Sequence, residues 1–524
     1  MKTLPDQVDV LIVGYGPVGA ALANLLGELG VRTLVVDKAS AIFMAPRAIA
    51  LDNEALRILQ MVGLEDGAFP RCEIPRVRFV NPWLGDVMAL NTSGEIDAHP
   101  KLVTFYQPQL ERALRERLAS RAAVEVCTGL EFVSLERRAE RIVCDLRDAE
   151  GARHQVRARY VVGADGASSR VRASVGGGFA GKTYPQAWLV IDAKGADPDF
   201  DHVEFICDPR RPTPHMVAPG GRTRWEFMLM PGETVEEMER DEAIDALLRP
   251  WGGLAKLEIE RRAVYHFHAR TSARFSHERV FLAGDAAHVT PPFVGQGLVA
   301  GLRDAANLAW KLAWVLEHGA SPSILDSYDQ ERRPHAIKMI NLARAAGWTV
   351  MPRSRLQAGL LHRAIELAQR LPGASGFIDE LGLKPSNFFP RGLLVGGRGR
   401  GRRGSWFPQV RTRAPDGSVH RSDDLLGSSL AAVGGGGDPG AQLPPALARA
   451  WARAGGKTLG LQRGSIAPDR GCHAVLGDAL SDRHLPPDWC VLLRPDKTVL
   501  HDGPLARAPE LVKAGLDVLG LMSS

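Results

Sequence analysis

The chain has 524 residues, too many for one ordinary domain and enough for two or three with sizeable cores. Its 45% hydrophobic and 24% charged residues are usual for a globular protein, and a net charge of +5 argues against the dense basic face of a nucleic-acid binder. Six scattered cysteines without a C-x-x-C favour reduced thiols in the cytoplasm and argue against a disulfide framework or a zinc site, so no metal is expected.

In chain order, the first segment, "VDVLIVGYGPVGAALANLLGELGVRTLVVDK", reads as strand, glycine turn, helix and strand. It is a βαβ unit that implies a parallel sheet covered by helices. The acidic residues Asp6 and Asp9 before its apolar run and the lack of a basic leader argue against a signal peptide. No uninterrupted apolar run of membrane-spanning length occurs, so no membrane partner is expected.

Leu51 to Leu64 reads as helical, and "QPQLERALRERLAS" as a strong amphipathic helix. "AVEVCTG", "EFVSLER" and "RIVCDLRD" read as antiparallel strands ahead of "ARYVVGADGASSRVR". From Tyr184 to His268, strand-like runs between Pro/Gly turns suggest a second sheet, and Leu298 to Leu316 reads as a helix. A basic glycine-rich run, Arg398 to Arg403, reads as a solvated interdomain linker, because no aromatic residues interleave its arginines for base stacking. A smaller unit follows it.

Two glycine clusters carry the chemistry. Gly14, Gly16 and Gly19 form a G-x-G-x-x-G between strand and helix, with Pro17 opening the helix. The first glycine makes the turn, the second lets a pyrophosphate approach the backbone, and the third permits close helix packing. Asp37, followed by Lys38, closes the next strand where a carboxylate would accept ribose hydroxyls. Two later strands also end in aspartate motifs, Asp165-Gly166 and Gly284-Asp285, the second within "GDAAHVTPPFVGQG". NAD alone does not account for three such sites, whereas a long flavin dinucleotide laid across the sheet could use all of them.

With these three fingerprints the sequence resembles the single-component flavoprotein aromatic hydroxylases, the class A family typified by para-hydroxybenzoate hydroxylase. The branch acting on 3-(3-hydroxyphenyl)propionate and 3-hydroxycinnamate shares further segments with it, among them "PRAIALDNEALRILQ", "RWEFMLMPGE" and "GLRDAANLAWKLAWVL". The likeness is strong over about residues 8–350 and weaker beyond. It implies a mixed α/β and α+β fold: a Rossmann-type FAD-binding domain (1–180 and 276–390, the latter with a helical region), an inserted β-sheet substrate domain (181–275), and a thioredoxin-like C-terminal domain without C-x-x-C (391–524).

The resemblance further implies FAD as cofactor, NADH or NADPH as transient reductant and O₂ as co-substrate. The reaction would be ortho-hydroxylation of a phenolic acid to a catechol through a flavin C4a-hydroperoxide. Asp285 would meet the ribityl chain, and Gly295, Gly297 and Leu298 the flavin's N1/C2=O edge. Pro292 would face the substrate ring, Arg47 the pyrophosphate and moving ring, Gln107 the ribityl and phosphate side, and Arg224 the flavin. The family's tyrosine pair for phenol deprotonation is not matched, since Phe205 stands near the first tyrosine's place. His215, Tyr265, His266 and His268 are the candidate proton acceptors. A small phenolic substrate is the expected partner, and a homodimer is a further option that the C-terminal unit would serve. Another phenol or polyketide aromatic is the alternative substrate, and a non-catalytic flavin-fold binding protein the alternative function.

Overall fold

In the computed structural model, residues 4–44, 47–369, 384–396, 402–464 and 472–522 are described. The buried run at Val10 to Val13 forms the centre of the first sheet, in the strand Gln7–Val13. It pairs in parallel with Thr33–Asp37 on one side and Arg153–Gly163 on the other. The connecting helix Pro17–Glu28 buries Leu22, Leu25 and Leu26, each worth about 1.5–3 kcal/mol of transfer free energy. That helix lies against three others, Asn53–Val62, Gln107–Leu118 and Gly297–Glu317.

One expectation is corrected at the sheet's edge. Val124–Thr128 pairs in parallel with Thr33–Asp37, while Glu131–Arg137 and Ile142–Arg147 are antiparallel. The helix Gln107–Leu118 acts as a crossover that returns the chain in the same direction, which residue alternation alone does not reveal. The segment Leu51 to Leu64 also splits: Ala50–Asp52 is a strand, and Asp52 then caps the helix Asn53–Val62 through Ala55 N–H. Val280–Leu282 joins the far half of Arg153–Gly163 in parallel. Three strands, Gln7–Val13, Arg153–Gly163 and Val280–Leu282, therefore deliver the glycine, DG and GD motifs to one end of the sheet.

The second sheet has eight strands and is not confined to residues 181–275. Phe179–Lys194, Val203–Ile206, Thr213–Ala218, Arg222–Met228 and Glu258–Ser272 are joined by Arg76–Asn81 and Gly85–Asn91 at one end and His288–Val289 at the other. Arg76–Asn81 enters as a parallel neighbour of Val203–Ile206, a pairing between residues more than 120 positions apart. One face of this sheet is covered by the helix Asp241–Leu248, which buries Ile244 and Leu248 against Leu189, Ile191, Trp225 and Phe227. The other face looks into a cavity.

A seven-stranded sheet forms the C-terminal unit. Buried ions tie it to the rest: Arg494 donates to Glu331 at 2.6 and 2.9 Å, and Glu331 also accepts from Lys311 at 2.8 Å. Residues 398–401 of the basic run lie outside the described residues. Its end is not a free solvated linker, because Arg403 donates to the Val395 carbonyl and lies 3.7 Å from Asp502, and Arg402 lines the cavity. Among the described residues no helix is long and apolar enough to cross a membrane.

Candidate active site

Between the motif-bearing end of the first sheet and the open face of the second lies a cavity of about 1630 Å³. Pockets for a single drug-sized ligand hold about 300–1,000 Å³, so this one has room for a dinucleotide and a second molecule.

The three glycines of the first motif have separate roles. Gly14 has φ +109°, and a Cβ there would lie 2.3 Å from the Ala164 carbonyl oxygen. At Gly19 a Cβ would lie 2.0 Å from the Gly14 carbonyl oxygen. Both hold the turn against its neighbours. Gly16 has nothing within 4 Å of its Cβ position and lines the cavity, so the close approach left open there is for a ligand. Gly16 is also the N-cap of the helix that begins at Pro17, and no side chain caps that helix, which leaves its first N–H groups and positive dipole end available. Asp37 lines the cavity and accepts from Tyr15 N–H and Ala39 N–H, both at 2.7 Å, with lone pairs to spare for ribose hydroxyls.

Lys38 does not join them. It is exposed and outside the cavity wall, near Glu131, whose pKa is lowered chiefly by Arg147. Asp165 is also displaced from the wall. Its carboxylate accepts from the Ser169 hydroxyl and from Arg170 and Val171 N–H groups, capping the short helix Arg170–Ser174, while Ala164, Gly166, Ala167 and Ser168 face the cavity. A residue the motifs did not point to, Arg172, ties two of these loops together by donating to the Ala286 and Ala167 carbonyls at 2.8 and 2.7 Å.

The GD loop is braced from below. Gly284 has φ +58°, and its N–H donates to Asp304, which also binds His288 at 2.7 Å and Arg332 at 2.9 Å. Burial would raise the Asp304 pKa, but these partners hold it below the usual carboxylate value. Asp285 opens onto the cavity with 40% of its side chain exposed, 4.0 Å from Arg47. Burial raises its pKa against the pull of Arg47, His288 and His268. Pro292 lines the wall, and Gly295 takes φ +61°. Gly297 and Leu298 open the helix Gly297–Glu317, whose N-terminus has no side-chain cap. Gln296, beside them, is held by Asp52 and Arg303 at 3.0 and 3.1 Å.

Arg47 is exposed, and its backbone is clamped. Gln107 accepts from Arg47 and Ala48 N–H groups at 3.2 and 3.0 Å and donates to Glu111, so both ends of its amide hold the chain. Arg224 is buried and forked onto Asp192 at 2.6 and 3.0 Å, and it donates to the Arg47 carbonyl at 3.2 Å. Gln107 and Arg224 both line the cavity, yet the contacts they make position the Arg47 segment.

His215 is a correction. Its ring stacks between Phe200 and Trp225, 3.9 and 5.0 Å from their centroids, on the helix-covered face of the second sheet and away from the cavity. Burial pushes its pKa down to about 3, leaving it neutral. Tyr265, His266 and His268 do line the cavity. The Tyr265 hydroxyl accepts from Arg261, and burial, with Arg270, lowers the His268 pKa.

The second sheet's open face forms an apolar chamber. Phe79 and Phe205 stack at 4.8 Å, with Val203, Pro214, Met216 and Val190 continuing the wall. Among them stands Glu226, a buried carboxyl that the sequence motifs did not single out.

The open Gly16 position, two uncapped helix termini, the spare acceptors of Asp37 and a cavity of this size fit a flavin dinucleotide. Fold and site together define an FAD-dependent monooxygenase of the class A flavoprotein hydroxylase type. Residues 7–343 match the FAD binding domain family model, and the chain belongs to that family. Residues 404–517 match the HcaD C-terminal domain.

Among curated proteins, the chain is 38% identical over 518 residues to 3-(3-hydroxy-phenyl)propionate/3-hydroxycinnamic acid hydroxylase of Burkholderia cenocepacia (strain HI2424), covering 94% of this chain and 93% of that one. It is 36% identical over 437 residues to the protein of the same name from Escherichia coli O81 (strain ED1a), covering 83% and 79%. Among solved structures, the flavin-dependent monooxygenase PieE, in complex with FAD and substrate, shares the fold at TM-score 0.82, with 22% identity over 99% of this chain and 100% of that one.

Proposed function

We propose that this enzyme hydroxylates a phenolic acid, 3-(3-hydroxyphenyl)propionate or 3-hydroxycinnamate, beside its ring hydroxyl to give a catechol, with NADH or NADPH as reductant. One observation supports this most: a single cavity is lined both by the glycine and GD motif segments and by the apolar face around Phe79 and Phe205, in a chain whose curated relatives carry that activity in their names.

FAD, once reduced by nicotinamide, supplies the activation of dioxygen. The chain's own groups do the rest. Gly16 and the helix starting at Pro17 accept the pyrophosphate, Asp37 the ribose, and Asp285 a ribityl hydroxyl. The N–H groups around Gly297 stabilise negative charge on the flavin's pyrimidine edge. Arg47 meets the phosphates, and Pro292 presents its carbonyl to the substrate ring. The apolar chamber excludes water from the reacting ring.

In the C-terminal unit, the parallel pair Leu430–Gly435 and Gly456–Gln462 flanks the antiparallel pair Trp489–Leu493 and Val499–Pro504, with helices Pro445–Arg453 and Ala508–Val518 between and after them. That order supports a thioredoxin-like domain, which lacks a C-x-x-C and so serves docking, including a homodimer, instead of thiol exchange. The scattered cysteines, with no C-x-x-C among them, agree with the cytoplasm. A panel of phenols scored for both NADH oxidation and catechol product tests the reading: 3-(3-hydroxyphenyl)propionate should give both. Oxidation with no catechol from any phenol would overturn it.

A further inference from the structure

We propose that Glu226 contacts the substrate and accepts the proton of its phenolic hydroxyl as the ring is oxygenated. The inference rests on the phenol reading above and names a residue for the step that the unmatched tyrosine pair leaves open.

The strand register places Glu226 in an apolar row. Val190 is its cross-strand partner on one side, and Ala263 continues the row beyond Val190. On the other side Phe205 pairs with Pro214 and with Phe79. All but Ala263 line the chamber. The next row is charged, but its charges satisfy one another: Arg224 and Arg261 both bind Asp192, at 2.6 and 3.1 Å. The Glu226 side chain makes no hydrogen bond or ion pair among the described residues; the residue is only 7% exposed and faces the cavity. A carboxylate on the wall of an apolar chamber loses its solvent when a ligand fills the space, so a ligand with a donor at that point is favoured. A ligand carboxylate placed there would instead be repelled. Of the two polar groups on a hydroxyphenyl propionate, only the hydroxyl fits beside Glu226, and the propionate must point elsewhere.

The groups facing Glu226 are Arg224 on its own strand, Asp192 on Phe179–Lys194, and Arg261 and Tyr265 on Glu258–Ser272; Pro214 and Met216, on Thr213–Ala218, carry no charge. Burial raises the Glu226 pKa, with Asp192 adding to the rise and Arg224 and Arg261 opposing it. A raised pKa makes the carboxylate a better base. In the step, the substrate O–H bond breaks and a carboxyl O–H forms. The electron pair left on the phenolic oxygen is delocalised onto the ortho carbon that bonds to the incoming oxygen. As that C–O bond forms, the O–O bond of the reduced dioxygen breaks; the departing oxygen takes up the ring C–H proton, and Glu226 returns its proton to the phenolic oxygen. The oxidant is the dioxygen of the established activity, with two electrons from the nicotinamide, and its second oxygen atom leaves as water.

The test uses the FAD-loaded enzyme. In the wild type, kcat/KM should fall as the pH drops through the raised Glu226 pKa, because the protonated carboxyl no longer accepts. That acid limb should vanish with a ring-fluorinated 3-(3-hydroxyphenyl)propionate that is already ionised. Glu226→Gln should keep FAD and lose about 100-fold in catechol formation, the usual size of a general-base contribution, with the loss largely restored by the fluorinated phenol. A structural role would not be rescued by substrate acidity. An identical acid limb with both substrates, or a Gln variant that hydroxylates like the wild type, overturns the role of Glu226 alone. A wild type that gives no catechol from any phenol overturns the substrate reading, and this one with it.

Discussion

At the motif-bearing end of the first sheet the cavity wall is rich in glycine and alanine, whereas on the second sheet it is built of larger side chains. Gly14, Gly16, Gly19, Gly295 and Gly297 hold turns or expose N–H groups, and the aspartates among them brace loops as often as they face a ligand. On the second sheet, Phe79, Phe205, Met216 and Glu226 define shape and polarity by their own atoms. A backbone site recognises what flavin dinucleotides have in common. A side-chain site is free to vary with the substrate, and two chains sharing the first need not share the second.

The sharpest way to break this contrast is at the glycines themselves. Gly14→Ala forces a Cβ to 2.3 Å from a backbone oxygen at φ +109°, and should cost about 3 kcal/mol of stability or prevent folding, read by thermal unfolding of the apoprotein. Gly16→Ala meets no protein atom within 4 Å, so the apoprotein should melt normally yet bind FAD at least about 10-fold more weakly. If both variants lose stability alike, Gly16 is not a ligand position.

On the other wall, Phe205→Ala should leave flavin occupancy unchanged and raise the phenol dissociation constant by about 10-fold, from roughly 1–2 kcal/mol of lost apolar contact. Loss of flavin in that variant would mean that the two walls are not separable.

Asp285 is a smaller test that links them. Its folded-state pKa is raised, so the folded apoprotein favours its protonated form, and the stability associated with that is lost as pH rises through the raised value. Asp285→Asn should therefore stabilise the apoprotein at pH 7 by a few tenths to about 1 kcal/mol, its partial exposure limiting the effect, and by nothing at acid pH. The same change should weaken FAD, as should Asp37→Ala. A melting temperature that falls at pH 7 would contradict the burial cost. The smallest effect belongs to His215→Phe: neither ring nitrogen has a hydrogen-bond partner, and the ring is stacked, so activity should hold and stability shift by about 0.5 kcal/mol or less.

The sequence alone determined the nucleotide half. A glycine turn between strand and helix is a recurrent motif whose residue types and spacing declare it, even where the atoms that demand glycine come from afar, as Ala164 does at Gly14. Asp37, Gly284 and Asp285 were legible for the same reason. The substrate half was decided by tertiary structure. Alternation along Thr213–Ala218 says that His215 and Met216 point to opposite faces, but not which face is the chamber. That was settled by Asp241–Leu248 packing over Trp225, which buried His215 on the closed side and left Met216 and Glu226 on the open one. Gln107 and Arg224, expected at the flavin from the family resemblance, do line the cavity, but the partners that hold them there, Arg47 and Asp192, come from distant parts of the chain. Local backbone geometry is written in adjacent residues, while the facing of a strand depends on what packs against it from far along the chain.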